Sequence, residues 1–254
     1  MRTVLTYIAL VLGTVLFGSI AILAAMLGVR DGAGSLFDNL PRWWSRTLLG
    51  AAGVKVELHD AHVMTEGTAH VFIANHVSWM DILALAATLP RYKFVGKAEL
   101  FKVPLFGRAA RAVGSIPIER ENRKSAFQSY DEAAEKIRAG ASVVVFPEGT
   151  RGREYALRQF KKGPFILAIS AGVPLVPILI HGTIEILPRG SFRIWRSSTV
   201  HLHFLEPVDS TAFTYEQRDS LSRIARDRMA EALQRTYGIV SPPSLPTAER
   251  AVAS

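Results

Sequence analysis

His76 and Asp81 have the types and spacing for proton-transfer chemistry. They stand in Asn75-His76-Val77-Ser78-Trp79-Met80-Asp81, directly after an apolar run with strand character and just before a helical pattern. Five helical residues turn the chain through about 500°, so the two side chains would point apart if the whole segment were helical. They meet if His76 lies in the strand-to-helix turn and Asp81 in the first turn of the helix. A carboxylate then accepts from one imidazole nitrogen, fixes the tautomer and stabilises the imidazolium that forms when the other nitrogen takes a proton. That is the equipment of a general base. The plain alternative is a capping aspartate beside a structural histidine. A second catalytic reading makes Ser78 a covalent nucleophile, but neighbours at i and i+2 rarely align as base and nucleophile, and no G-x-S-x-G elbow surrounds Ser78.

Three further segments put polar or shaping residues at the ends of apolar runs. Gly114-Ser115-Ile116-Pro117-Ile118-Glu119-Arg120 closes on an arginine, Phe146-Pro147-Glu148-Gly149-Thr150-Arg151 on Glu, Gly, Thr and Arg, and Val173-Pro174-Leu175-Val176-Pro177 is a proline-bracketed strand entry. Loops beyond strand ends are where open α/β sheets assemble ligand sites. Other chemistries find little support. The chain has no cysteine, which removes thiolate nucleophiles, disulfides and thiolate metal sites. Phosphate-binding loops, dinucleotide fingerprints and HExxH are absent. His201 and His203 share one strand face, but with no third ligand apparent nearby no metal set is expected.

The elements that must position these groups can be read from hydrophobic texture. Val54–Leu58, His70–Ala74, Ser115–Ile118, Ser142–Phe146, Leu175–Ile180 and Thr199–Leu205 read as strands, the middle four nearly all apolar. Helical patterns fall at Asp81–Thr88, Phe106–Val113, Ser125–Arg138, Pro164–Ser170 and Tyr215–Tyr237. The implied class is α/β, with a mixed, mostly buried sheet flanked by helices on both faces. Gly163 to Ile184 carries no charged residue, yet its glycines and prolines cut it into helix, turn and strand rather than a membrane span.

Ahead of this domain the texture differs. No residue between Arg2 and Arg30 is charged, a stretch long enough to cross a bilayer of about 30 Å. Leu36 to Gly50 follows with Leu36, Leu40, Trp43, Trp44, Thr47 and Leu48 at helical spacing and Arg42 and Arg46 between them, a pattern that suits a membrane interface. If the first segment spans, Arg30, Arg42, Arg46 and Lys55 outnumber Arg2 and place the rest of the chain in the cytoplasm. A hairpin entering one leaflet is equally consistent. The expected organisation is therefore a membrane-associated helical segment over 1–52, an α/β domain over 53–240 and a flexible tail over 241–254. The net charge is +8, and residues 91–124 carry nine basic side chains against three Glu. An anionic membrane surface or substrate is the expected partner, and no nucleic-acid-binding motif is present.

In this order and at this separation, NHxxxxD and FPEGTR resemble the glycerolipid acyltransferase family, most closely the 1-acyl-sn-glycerol-3-phosphate acyltransferases. The likeness runs from about His70 to Gly182 and includes Lys93-Phe94-Val95-Gly96-Lys97-Ala98-Glu99-Leu100 and Phe160-Lys161-Lys162-Gly163. Pro117, Glu119 and Gly152 depart from the usual pattern; the first two bear on the acceptor pocket, and none is expected to touch the base. The resemblance implies the family's fold and transfer of an acyl group from a coenzyme A or acyl carrier protein thioester to the sn-2 hydroxyl of lysophosphatidic acid. No cofactor is implied. His76 would be the general base, Asp81 its orienting partner and Arg120 the grip on the acceptor phosphate, with Lys97 and Arg151 assisting. Glu148, Gly149 and Thr150 would line the acceptor site, and Pro177 would shape the wall of the acyl site. Another lyso-lipid, such as lyso-ornithine lipid or a lysophospholipid, is the alternative acceptor.

Overall fold

Val71–Ala74 (β2), Ser142–Val145 (β5) and Leu175–His181 (β6) are dominated by β-branched and aliphatic residues, and β2 and β5 are buried at every position. They form the centre of a seven-stranded sheet. The computed structural model describes residues 1–64, 67–119 and 123–244. The remaining strands are β1 (Lys55–His59), β3 (Tyr92–Lys97), β4 (Ile116–Ile118) and β7 (Thr199–Phe204), in the order β1-β7-β6-β2-β5-β3-β4. β2 to β6 are mutually parallel, whereas β7 pairs antiparallel to β6 and parallel to β1. The C-terminal ends of five strands therefore lie along one edge, and His76, Lys97, Glu119 and Glu148 all follow or close strands at that edge.

Side-chain alternation divides the core in two. Phe72, Ala74, Val144, Val176 and Ile178 face one side, covered by α2 (Leu36–Ala52) and α3 (Trp79–Thr88). Val71, Ile73, Val143, Val145 and Leu175 face the other, covered by α5 (Arg123–Arg138), α6 (Gly163–Ala171) and α7 (Arg218–Tyr237). Each such Val, Leu or Ile contributes about 1.5–3 kcal/mol by leaving water. The sheet is thus a two-sided platform, as the apolar runs imply.

One strand lies outside the six read from the sequence. β3 carries Lys93, which is only 1% exposed, and a charge in the middle of a run obscures its strand character. The charge is compensated: Lys93 Nζ lies 3.0 Å from Asp31 and 3.6 Å from Asp38 and donates to the Val113 carbonyl. This ionic cluster, in which Lys93 and Asp38 are buried and Asp31 is exposed, ties the start of α2 to the sheet.

The N-terminal helices pack on the domain. Leu40 and Leu48 of α2 are buried, and its basic residues turn inward: Arg42 donates to the Leu89 and Pro90 carbonyls and Arg46 to that of Ala87, around the C-terminal end of α3. Trp43 stays exposed. α1 (Arg2–Met26) rests on the domain along a stripe of small residues, Gly13 against Trp44 and Gly18 against Ala109 of α4 (Phe106–Ala112). Near its start, Thr3 accepts a hydrogen bond from the Ile194 amide and Tyr7 donates one to the Phe192 carbonyl. Its opposite flank exposes Val4, Leu5, Ile8, Val11, Leu12, Val15 and Leu16.

Candidate active site

Asn75 makes the exit of β2 rigid. Its side-chain amide donates to the Ile180 carbonyl and accepts from the Ile180 amide, at 2.9 and 2.7 Å, extending the β2–β6 pairing by one side-chain rung. The next residue, His76, leaves the sheet, and α3 begins at Trp79, two residues earlier than the hydrophobic pattern places it. Asp81 consequently occupies the third helical position, where a carboxylate can reach back to amides ahead of the helix. Its Oδ2 accepts from the Val77 amide at 2.7 Å, the Ser78 amide at 2.8 Å and His76 Nδ1 at 2.9 Å. The turn required to bring the histidine and aspartate together is thus built by the aspartate itself.

Two donated amides define Oδ2 as an acceptor, so Nδ1 is the nitrogen that carries a proton toward it, and in the neutral ring the lone pair is on Nε2. The ring is buried and stacks on Phe146 at 4.0 Å between centroids. Its backbone is also held, because the His76 amide donates to Glu148 Oε1 at 3.0 Å and the His76 carbonyl accepts from Gly152 at 2.6 Å. Ser78 is buried as the helix N-cap, accepting from the Met80 amide and donating its hydroxyl to the Leu187 carbonyl at 2.6 Å. This geometry offers the hydroxyl no path to His76 as an attacking group.

The FPEGTR loop sits against this turn. Gly149 adopts φ +77°, a backbone conformation that disfavours L side chains. Glu148 is buried, and its Oε2 accepts from Arg158 Nε at 3.0 Å, while Arg158 also donates to the Thr150 carbonyl. Arg158 has no place in either motif and was invisible to spacing arguments. Arg151 lies over the Trp79 ring at 4.6 Å. Burial, reinforced by Arg189, lowers the pKa of its guanidinium from the ordinary arginine value, and Asp81 partly offsets this. A partly desolvated cation of this kind gains from an anionic ligand. Thr150 is exposed at the loop tip.

The other expected site residues fall differently. Lys97 closes β3 at the same sheet edge, with its ammonium 57% exposed and 3.3 Å from Glu99. Arg120 lies outside the described residues. Pro177 is buried within β6 opposite Ile73 and shares a strand face with Leu175 and Leu179, whose side chains enter the second core. It does not line the apolar cavity of about 130 Å³ on the first face, which is bounded by Gly18, Trp44, Ile82, Phe94 and Phe106 among others. Phe94 leads from that cavity to the site: its ring lies 6.3 Å from Phe146, which stacks on His76.

An imidazole bonded to a buried carboxylate thus stands at the C-terminal edge of a mixed sheet in an α/β fold, with a cation-bearing loop clamped to its backbone. Residues 55–181 match the family model described as Acyltransferase. A 1-acyl-sn-glycerol-3-phosphate acyltransferase of Haemophilus influenzae is 31% identical over 76% of this chain and 79% of its own length. A chloroplastic 1-acyl-sn-glycerol-3-phosphate acyltransferase of Brassica napus is 36% identical over 65% of this chain, which spans only 47% of that relative. The crystal structure of the 1-acyl-sn-glycerophosphate acyltransferase of Thermotoga maritima superposes with a TM-score of 0.76 at 23% identity, covering 95% of this chain and 97% of that one. The chain belongs to the acyltransferase family.

Proposed function

We propose that this chain is a membrane-seated O-acyltransferase that moves a fatty acyl group from a coenzyme A or acyl carrier protein thioester to the sn-2 hydroxyl of 1-acyl-glycerol-3-phosphate, forming phosphatidic acid. The observation that carries the reading is the His76–Asp81 bond, which turns Nδ1 to the carboxylate and leaves Nε2 as the ring nitrogen for the substrate hydroxyl, while the Glu148–Gly152 loop holds the His76 backbone. An alcohol is far less acidic than imidazolium, so His76 removes the proton in concert with attack of the oxygen on the thioester carbonyl. The C–O bond forms, the C–S bond breaks, and the imidazolium returns its proton to the departing thiolate. Asp81 stabilises the imidazolium in between. No acyl-enzyme is needed, in keeping with the buried, engaged Ser78 hydroxyl. Arg151 is the half-buried cation for the acceptor phosphate, with Lys97 and Arg120 assisting and Glu148, Gly149 and Thr150 shaping the acceptor side.

The apolar cavity beside Phe94 supplies the start of an acyl site, a role that passes from Pro177 to Gly18, Trp44, Ile82 and Phe106. The exposed flank of α1, together with exposed Trp43, Phe192 and Trp195, supports a seat in one leaflet: α1 lies along the domain rather than standing free of it, so lipid reaches one side only. The test is transfer by purified protein in detergent, with lysophosphatidic acid set against other lyso-lipids and both thioester classes as donor. Preferred use of lysophosphatidic acid is expected. Equal or better use of a phosphate-free lyso-lipid would overturn the acceptor assignment, and no transfer by folded protein to any of them would overturn the reaction.

A further inference from the structure

The opposite face of the sheet carries a second cluster that acyl transfer does not employ. The sequence presents only His201 and His203, alternate residues of one strand. The parallel pairing of β1 with β7 adds Glu57 opposite His201 and His59 opposite His203. Val200, Leu202 and Phe204 enter the first core, so the intervening histidines face away from the apolar cavity. His59 Nε2 and His201 Nδ1 face each other at 3.0 Å, Glu57 Oε2 lies 3.5 Å from the same Nδ1, and the three donor atoms lie within 4.8 Å of one another.

We infer that Glu57, His59 and His201 bind one divalent transition-metal ion of the zinc class. Bonds of about 2.0–2.1 Å at tetrahedral angles require donor atoms about 3.3–3.4 Å apart, a few tenths of an ångström from both spacings seen here. An ion replaces the His59–His201 hydrogen bond with two coordinate bonds, and Glu57 supplies an anionic third. Two imidazoles and one carboxylate favour zinc, nickel or copper over magnesium or calcium, which prefer all-oxygen shells. The Glu57 side chain is 55% exposed and that of His201 31%, leaving solvent access and a fourth position for water. His59 is also oriented from behind. His203 stacks on it at 4.3 Å and 13°, and His203 Nε2 is itself hydrogen-bonded to the Tyr237 hydroxyl at 2.7 Å, at the end of α7. The ion would cross-link β1, the first strand after the N-terminal helices and an edge strand among the described residues, to β7.

The experiment is equilibrium dialysis of the tag-free full chain in detergent, stripped with chelator and then exposed to Zn²⁺, with bound metal measured by mass spectrometry and the geometry read from Co²⁺ visible absorption. One equivalent per chain is expected, with the intense visible bands of tetrahedral Co²⁺. His59→Phe, which keeps a ring to stack on His203 but removes the donor, and His201→Ala are each expected to lose it; Glu57→Gln is expected to weaken it by about tenfold or more. His62→Ala should retain it. Circular dichroism checks that each variant is folded, and Glu57→Gln keeps the test decisive if a histidine variant unfolds. Failure of folded wild type to retain zinc, or equal binding by folded His59→Phe, would overturn the site.

Discussion

At the scale of single residues, three donors converge on one oxygen of Asp81, and only one of them is the histidine. The aspartate therefore holds the turn and orients the base with the same atom, and its removal would confound the two roles. His76 and Ser78 separate chemistry from structure more cleanly. His76→Ala is expected to lower kcat by at least about 10²–10⁴-fold, the usual worth of a positioned base, without unfolding the protein. Ser78→Ala is expected to keep kcat within a few-fold while losing about 0.5–2 kcal/mol of stability with its cap. Steady-state rates and thermal midpoints of the two variants check this pair, and loss of turnover in a folded Ser78→Ala protein would restore the nucleophile reading. The motif residues themselves were legible in the sequence because their spacing is local. Arg158, which bonds Glu148 and the Thr150 carbonyl, was not, since nothing in its own surroundings marks it as part of the loop.

At the scale of elements, the apolar runs identify strands because a strand buried on both faces leaves no room for polar residues. The same rule hid β3, whose Lys93 is tolerated only because Asp31 and Asp38, far off in the sequence, are brought to it. In α2 the periodicity shows an apolar stripe but not whether protein or lipid covers it. Pairings across the sheet are just as opaque to a linear reading: Glu57 and His59 become neighbours of His201 and His203 only through the β1–β7 register. The turn after β6 shows how narrow the tolerance can be. Gly182 adopts φ +95°, and a Cβ placed there would lie 2.3 Å from the Thr199 carbonyl oxygen. Gly182→Ala is therefore expected to cost about 2–4 kcal/mol, through backbone strain plus displacement of the start of β7. That corresponds to a fall in the apparent thermal midpoint on the order of 5–15 °C, and a midpoint unchanged within about 1 °C would show that the turn relaxes freely.

At the scale of the whole molecule, the proposed membrane seating would draw on the basic balance and on the apolar flank of α1 through different physics. Electrostatic attraction to an anionic surface fades as the Debye length shrinks from about 10 Å to about 3 Å between 0.1 and 1 M salt, whereas burial of apolar side chains does not. Binding of the full chain to anionic vesicles is expected to weaken with salt yet persist at about 1 M, and flotation at the two salt levels measures it. Complete release at high salt would remove α1 from the membrane contact. The clamp on His76 has a consequence of another kind. Its amide and carbonyl are both held by the loop that runs from Glu148 to Gly152, so base and loop behave as one machined part assembled from two distant stretches of chain. The NHxxxxD turn grafted alone onto another sheet would carry its histidine–aspartate bond but not its aim, and any remodelling of the Glu148–Gly152 loop must preserve the two contacts it makes to the His76 backbone.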